Sequence, residues 1–187
     1  ELCSLYLNNV ELKTEAQPYL RNLSILTGQP VHLATLIDGA AVYIDKIEKY
    51  NTIRMYSAIG RRIPLHCTAV GKVLLSDKSP DRIREILGGD KLTPCTPNSI
   101  TDFDRLLEEV AQVRKFGWAR DNEEHETGIR CIAAPIYDYR RQIIAAISTS
   151  GIKNIISPDR DEEIAQYVIE AASGISKRMG YTGRPIK

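Results

Sequence analysis

The sequence has almost no excess charge and no long apolar run. Its 25 lysines and arginines are offset by 24 acidic residues, which leaves a formal charge of +1. Proteins that grip nucleic acid usually carry a basic excess or a basic stripe, so this chain is not expected to bind DNA by itself. A membrane span needs ~20 apolar residues in a row and a signal peptide needs a charged start before an apolar run. Neither pattern is present, and we expect no membrane partner.

Cysteine and methionine are also scarce. The four cysteines have no CxxC spacing in a chain too long for a disulfide scaffold, which favours reduced thiols and a cytoplasmic protein. They are Cys3, Cys67, Cys95 and Cys131. The only methionines are Met55 and Met179, so an initiator is absent and we expect a fragment of a longer protein. With 43% hydrophobic and 26% charged residues, the composition is that of one globular domain.

The hydrophobic period changes from helical spacing to two residues within the first third of the chain. Residues 1–27 predict helix, with Pro18 as a kink or a restart because proline has no N–H to donate. Two alternating runs flank Asp38-Gly39, which is a strong hairpin signal. Residues 51–58 predict a third strand.

Helices and strands follow one another irregularly in the rest of the chain. A turn-rich patch at residues 60–64 precedes two short predicted helices. Thr101, with Asp104 three residues on, resembles the capping box of a longer helix, and Ser157 predicts the cap of the last one. Two strands, 129–137 and 142–150, lie between these helices. Since β-α-β alternation is absent, the order predicts an α+β fold in which helices flank an antiparallel sheet.

Two hydroxyls lie on one face of the second of these strands. By the two-residue period of a strand, one face carries Ile144, Ala146, Ser148 and Ser150. A buried hydroxyl without a partner costs about 1–3 kcal/mol, so the serine pair needs backbone, water or a ligand. Exposure of both serines to water at the strand end explains the pattern equally well.

A run of small residues from His66 to Lys72 begins a predicted helix. Such a start leaves backbone N–H groups open, and the helix dipole favours an anion there, so a carboxylate would fit. The run is not a phosphate-binding loop, because the glycine-rich spacing before its last two residues is missing. A packing site for small side chains is the alternative interpretation.

An acidic segment from Asp121 to Glu126 follows a short strand-like run. Asp121, at the end of that run, can accept a hydrogen bond from a ligand hydroxyl, whereas the other acids are typical of a solvated loop. A zinc site would require these acids to converge with His66 and Cys131. We expect no metal and no cofactor.

The cysteines also suggest an enzyme with a Cys or Ser nucleophile that acts on a small acid. His66 adjoins Cys67, but neighbours on a strand point to opposite faces. Cys131 lies in an apolar strand, where an inert buried thiol is expected. The serines lack a GxSxG elbow. We therefore expect a protein that is not an enzyme, and a structural oligomerisation module without a ligand is a third interpretation.

Three ordered motifs point to a known family. They are GRRIPLHCTAVGK at residues 60–72, DNEE at 121–124 and GIRCIAAPI at 128–136. In this order and spacing they resemble the effector-binding domain of IclR-family bacterial transcription regulators, over residues 16–181. Arg54-Met55-Tyr56-Ser57, together with the second motif, is similar to members that resemble the 2-keto-3-deoxygluconate repressor.

The resemblance implies a GAF-like fold, a curved antiparallel sheet flanked by helices with a ligand cavity on one side. Residues 1–10 would be the end of a linker helix and residues 11–187 the effector-binding domain. The resemblance further implies a homodimer or homotetramer that contacts DNA only through an N-terminal winged helix-turn-helix domain, absent from this chain. The expected ligand is a carboxylate-bearing effector such as a keto acid or a sugar acid.

The resemblance also places the family's small-acid pocket on this sequence. Its backbone anion-binding pair corresponds to Ala69 and Val70. Relatives also have glycine at the first of these positions, and alanine keeps the N–H group but narrows the approach to it. The polar side chains correspond to Asp121, Cys131, Ser148 and Ser150. The apolar wall corresponds to Met55 and Ile63.

Overall fold

The chain folds into one curled antiparallel sheet with helices on both faces. The computed structural model describes residues 2–48 and 57–183, with side chains described from residue 11 onward. The strands are β1 (Val31–Ile37), β2 (Ala40–Ile47), β3 (Arg62–Ile63), β4 (Ala119–Asn122), β5 (Ile129–Tyr137) and β6 (Ile143–Ile152). They form a six-stranded half-barrel in the order β3-β2-β1-β6-β5-β4. The predicted α+β architecture is confirmed.

Two sets of helices cover the two faces of this sheet. The helices are α1 (Leu2–Thr27), α2 (Ala69–Leu75), α3 (Pro80–Leu87), α4 (Phe103–Phe116) and α5 (Asp161–Arg178). On one face α1 and α5 pack on the sheet around Leu20, Leu33 and Val168. On the other face α2, α3 and α4 enclose a second core, to which the strands contribute small residues such as Ala133 and Ala146.

Helix α1 is continuous over 26 residues. Pro18 lies inside it, so the expected restart at that proline is wrong. The helix also passes through the expected boundary between residues 10 and 11, and the assignment of residues 1–10 to a linker stays a prediction. The buried positions recur at helical spacing and are Leu12, Ala16, Leu20 and Leu23.

The hairpin predicted at Asp38-Gly39 is confirmed. Strands β1 and β2 pair on either side of it, and both turn residues have positive φ, 46° and 74°, as a type I′ turn requires. The predicted third strand falls on residues 51–58, of which 51–56 lie outside the described residues and 57–58 are not in a strand. The turn-rich patch contains β3 instead, which pairs with β2.

Two predicted helix caps are wrong. Asp102 rather than Thr101 caps α4, because its carboxylate accepts a hydrogen bond from the Arg105 N–H at 2.8 Å. Ser157 makes no side-chain capping bond, and a 3₁₀ turn at Pro158–Arg160 separates it from α5. Thr101 and Ser157 are both close to the start of a helix, but α4 and α5 begin one or more residues later than these caps would require.

The face assigned to β6 is correct except at Ile144. Ser148 and Ser150 are buried on the same side of the sheet as Ala146. Ile144 packs with the opposite core, because the register with β5 shifts between Ile136 and Tyr137 and leaves Ile144 as the extra residue. A bulge of this kind moves a side chain to the other face.

Helix α2 begins in close contact with the turn before it. The Thr68 hydroxyl caps the helix by accepting from the Gly71 N–H at 3.1 Å, and it donates to the Pro64 carbonyl at 2.6 Å. A Cβ atom at Gly71 would lie 2.2 Å from the Leu65 carbonyl oxygen, so only glycine fits there. The cap and the glycine together fix the start of α2 against the sheet.

One lysine of α2 is fully buried. The Lys72 ammonium lies 2.8 Å from a Glu124 carboxylate oxygen and 3.3 Å from Glu109 of α4. Glu124 is also buried and belongs to the β4–β5 loop, residues 123–128. The ion pair therefore ties this loop to α2.

We expect Lys72→Met and Glu124→Gln each to destabilise the protein strongly. Removal of one partner leaves the other charge buried without compensation, which costs about 3–5 kcal/mol. The double variant should lose much less free energy of unfolding than the sum of the losses in the two single variants, because both charges are gone. The free energies of unfolding from denaturant titrations measure this coupling.

Arg105→Met provides the matched control. Arg105 also pairs with Glu109, but its side chain is 59% exposed, so we expect a far smaller loss of stability. Strict additivity of the Lys72 and Glu124 substitutions would contradict the buried pair.

Candidate functional site

A narrow cavity lies between the start of α2, the β4–β5 loop and the sheet. Its volume is about 30 Å³, which is enough for a water molecule but small beside the roughly 300–1,000 Å³ of most small-molecule pockets. The residues around it are Tyr43, Thr68, Ala69, Val70, Asp121, His125, Glu126, Ile129, Cys131, Ser148 and Ser150. Six of the eight residues predicted from the sequence therefore line one cavity.

The sheet side of the cavity is a polar row across three strands. Asp121 of β4 is paired with Cys131 of β5, which is paired in turn with Ser150 of β6. Paired residues of antiparallel strands project from the same face, so these three side chains lie side by side. The side chain of Ser150 is close enough to the Cys131 thiol to lower its pKa, against the larger effect of burial. Ser148 lies two residues farther along β6, and both serines are buried.

The helix side of the cavity is the first turn of α2. The first N–H groups of a helix have no acceptor within it. Thr68 caps the amide of Gly71, whereas the amides of Ala69 and Val70 come before that capped position. Ala69 and Val70 line the same cavity as the two serines.

Asp121 is buried inside β4 rather than at the end of a strand. Its carboxylate accepts from the Glu124 N–H at 2.7 Å. Burial, and then the nearby Glu124 carboxylate, raise the pKa of Asp121 to about 7. Near neutral pH this side chain is present in both protonation states, so it can donate or accept a hydrogen bond within the cavity.

Sequence reasoning missed several residues in and around this cavity, among them Tyr43 and Arg61. Tyr43 lines it from β2, but the alternation of that strand predicts only the hairpin. Arg61 is close enough to His125 for its guanidinium to lower the pKa of that imidazole, after the larger effect of burial. Arg61 lies in the first family motif, so its position could have been noticed from the sequence.

The two predicted apolar wall residues do not join this set. Ile63 is buried in β3 within the core beneath α2, but it is not among the residues that line the cavity. Met55 lies outside the described residues. A role for either residue in ligand contact stays a prediction.

The comparisons with known proteins agree with this architecture. The family model described as "Bacterial transcriptional regulator IclR C-terminal" matches residues 4–177. The chain belongs to the IclR family. It is 42% identical over 185 residues to the HTH-type transcriptional regulator KdgR of Escherichia coli K12, covering 99% of this chain and 70% of that protein. It is 40% identical to KdgR of Dickeya chrysanthemi, of which it spans 61%.

A solved structure supports the same assignment. The crystal structure of the C-terminal domain of E. coli KdgR matches with a TM-score of 0.81 at 40% identity, over 91% of this chain and 99% of that one. The GAF-like IclR fold expected from the sequence is confirmed. These relatives are transcriptional regulators rather than enzymes. Among the described residues, no helix of this IclR-family domain is long and apolar enough to cross a membrane.

The thiols near the cavity do not have the chemistry of a nucleophile. Burial, and then the neighbouring Cys95, raise the pKa of the Cys67 thiol. Burial, and then the Asp121 carboxyl, raise that of Cys131 well above its ordinary value. A catalytic cysteine requires the opposite shift. The raised pKa values of both thiols therefore do not support the enzyme interpretation.

The metal-ligand set considered from the sequence is also wrong. His66 directs its Nε2 atom to the Thr93 carbonyl oxygen at 2.9 Å, and Cys131 belongs to the cavity floor. In the described parts of the chain, the side chains of metal-ligating type that converge are Cys67, Cys95 and His125.

A wider polar cleft of about 460 Å³ lies beside Glu124 on the outer surface. Its charged side chains are already paired. Arg105 contacts Glu109, and Arg120 contacts Asp161. An anionic ligand would have to compete with these pairs, so the smaller cavity under α2 is the better candidate site in this IclR-family domain.

A buried histidine lies behind the cavity wall. His32 of β1 is paired with Ser148 across the sheet, its Nε2 atom lies 2.8 Å from the Ser57 hydroxyl, and its ring is 4.8 Å from that of Tyr43. Burial, and then the positive charge of Lys46, lower the pKa of His32 to about 3. His32 is therefore neutral at physiological pH.

We expect His32 to lower the free energy of unfolding as the pH drops below about 6.5, while Asp121, whose pKa is raised to about 7, makes the opposite contribution. Between pH 6.5 and 3 the unfolded chain binds a proton on His32 that the folded protein does not, with a limiting slope of about 1.4 kcal/mol per pH unit. His32→Gln should remove this contribution and leave that of Asp121, so denaturant unfolding at several pH values should show the slope change by about 1.4 kcal/mol per pH unit relative to the wild type. Ser57→Ala keeps the buried imidazole and should keep the slope of the wild type. If His32→Gln also has the slope of the wild type, His32 is not the group responsible.

Proposed function

We propose that this domain is the effector-binding and oligomerisation domain of an IclR-type transcription regulator that senses a small organic acid or sugar acid. The observation that supports this is the convergence of Ser148 and Ser150 with the start of α2 around one enclosed cavity. Buried hydroxyls and backbone N–H groups that face one space form a donor set suited to a carboxylate.

In this proposal the ligand carboxylate lies between α2 and β6. It accepts hydrogen bonds from the N–H groups of Ala69 and Val70 and from the hydroxyls of Ser148 and Ser150. Each charge-assisted bond contributes about 1.5–3 kcal/mol. A few such bonds, less the cost of association, correspond to roughly micromolar affinity.

The remaining cavity residues define the rest of the ligand. Asp121 bonds to a ligand hydroxyl, which favours a hydroxylated acid over a plain short-chain acid. Cys131 lines the floor beside it. The positive charge of Arg61, which acts on both Tyr43 and His125, attracts an anion to this end of the domain.

Binding requires the cavity to widen. A space of about 30 Å³ is smaller than any sugar acid, so part of the binding free energy is used to separate α2 from the sheet or to move the β4–β5 loop. A ligand that binds only the widened form shifts the population toward that form. The conformation with the narrow cavity is thus the one from which an effector shifts the population.

Ser148→Ala combined with Ser150→Ala should weaken effector binding by at least tenfold. The double substitution removes two donors from the carboxylate. A thermal-shift panel of sugar acids, keto acids and aromatic acids identifies an acid that stabilises the protein. Isothermal titration calorimetry with that acid then measures the loss of affinity.

Thr149→Val is the matched control. Thr149 is buried on the same strand, but its hydroxyl contacts the Pro30 carbonyl and Thr27 on the other face of the sheet, so its removal should leave the affinity unchanged. If the double serine variant binds the acid as tightly as the wild type does, the proposed placement of the carboxylate is wrong.

We further propose that the effector changes how copies of the protein pair. A ligand can regulate only if its affinity differs between two arrangements of the assembly. The full-length protein would act in the cytoplasm as a homodimer or homotetramer. It would contact DNA through a domain outside this chain, and the effector would alter the spacing of the DNA-binding halves.

Small-angle scattering of the full-length protein tests this. The profiles with and without a saturating concentration of the stabilising acid should differ, because the arrangement of the subunits differs. A ligand that binds by calorimetry yet leaves the profile identical would contradict regulation through subunit arrangement and leave the binding site itself intact.

A further inference from the structure

Two thiols and an imidazole converge at the outer end of the cavity. Cys67 directly precedes the cap of α2, Cys95 lies in the loop between α3 and α4, and His125 lies in the β4–β5 loop. One ligand atom of each lies within 4.8 Å of the other two, and the two sulfur atoms are 3.5 Å apart. Three separate parts of the chain thus bring metal-ligating atoms to one point.

These separations suit a zinc ion. Zinc binds thiolate sulfur at about 2.3 Å and imidazole nitrogen at about 2.0–2.1 Å in a tetrahedral arrangement. Ligand atoms at those bond lengths lie about 3.5–3.8 Å from one another. The side chains therefore need only small rotations to surround one ion.

Hydrogen bonds hold two of the ligand segments together. The Thr96 hydroxyl donates to the carbonyl oxygens of Glu123 and Glu124 at 2.7 and 3.0 Å. The Ser99 hydroxyl donates to the Glu124 carbonyl at 2.5 Å and accepts from the Cys95 N–H at 2.8 Å. These bonds fix the loop that carries Cys95 to the residues just before His125.

The Lys72–Glu124 ion pair positions the third segment. Lys72 lies in α2, which begins two residues after Cys67, and Glu124 directly precedes His125. The cluster is therefore built on hydrogen bonds and an ion pair that do not use the ligand atoms themselves. Preorganised ligands lose less conformational freedom when a metal binds.

An unpartnered nitrogen provides an independent observation. The Nδ1 atom of His125 is buried and has no hydrogen-bond partner among the described residues. A buried polar atom without a partner is unfavourable by about 1–3 kcal/mol, and an imidazole nitrogen is a common metal ligand. A zinc ion in this cluster would give the His125 imidazole a coordination bond, where one of its nitrogens otherwise lacks a hydrogen-bond partner among the described residues.

We propose that Cys67, Cys95 and His125 bind a zinc ion through two thiolates and one imidazole, with water in the fourth position. This donor set selects zinc over magnesium or calcium, which prefer oxygen. Because His125 also lines the cavity, the ion holds the β4–β5 loop against α2. Zinc binding does not require the effector, but both ligands would act on the β4–β5 loop.

Zinc titration of the reduced, chelator-treated protein tests this site. Calorimetry with a competing chelator should show saturable binding of one ion per chain. Substitution with Co²⁺ should give the absorption of a tetrahedral ion together with thiolate-to-cobalt charge transfer. The absence of zinc uptake, or a cobalt spectrum without thiolate charge transfer, would overturn the proposal.

Variants assign the ligands. Cys95→Ser and His125→Asn should each weaken zinc binding by at least about 100-fold, since even residues that only support a ligand contribute 10–100-fold. Cys95 is exposed, so its replacement preserves the fold and keeps the test valid if Cys67→Ser proves unstable. Cys131→Ser removes a neighbouring thiol outside the cluster and should leave zinc affinity unchanged. If Cys95→Ser binds zinc as tightly as the wild type does, the site is refuted. It is also refuted if both thiols are lost to oxidation without zinc uptake, and that result would indicate a disulfide pair instead.

Discussion

The buried ion pair between Lys72 and Glu124 is the constraint on which the cavity depends. It joins α2 to the β4–β5 loop. The first residues of α2 line the cavity, the loop contains His125, and Asp121 lies just before the loop. An ammonium with no exposure to water is unfavourable unless its partners are fixed. Glu109 of α4 supplies the second carboxylate, so one lysine sets the relative positions of two helices and a loop.

The strands and the polar face of the sheet were predictable because they depend on short-range patterns. The alternation around Asp38-Gly39 is a property of neighbouring residues, and the two-residue period placed Ser148 and Ser150 together before their surroundings were known. The capping errors at Thr101 and Ser157 have the same origin, since several polar residues near a helix start compete to cap it and packing decides among them. Local pattern specifies the element, and tertiary contacts specify its ends.

The parts of the site that could not be predicted depend on contacts between distant segments. Lys72 looked like the end of a run of small residues, and nothing in its neighbourhood indicated a partner 52 positions away. Cys95 lies in a loop without a motif, so its approach to Cys67 and His125 is visible only in the folded chain. The family resemblance supplied the cavity residues that spacing alone left undecided, but it did not extend to this cluster.

Helix α1 packs on the face of the sheet opposite the cavity. Its 26 residues correspond to a rod of about 39 Å, and Leu12, Ala16, Leu20 and Leu23 of this helix are buried against the sheet and α5. The strands beneath that rod, β1 and β6, are also those that bear His32 and the serines. A change in sheet curvature that tilts the rod by about 5° displaces its far end by about 3 Å. A small change in the curvature of the sheet would therefore be magnified at the N-terminal end of this helix.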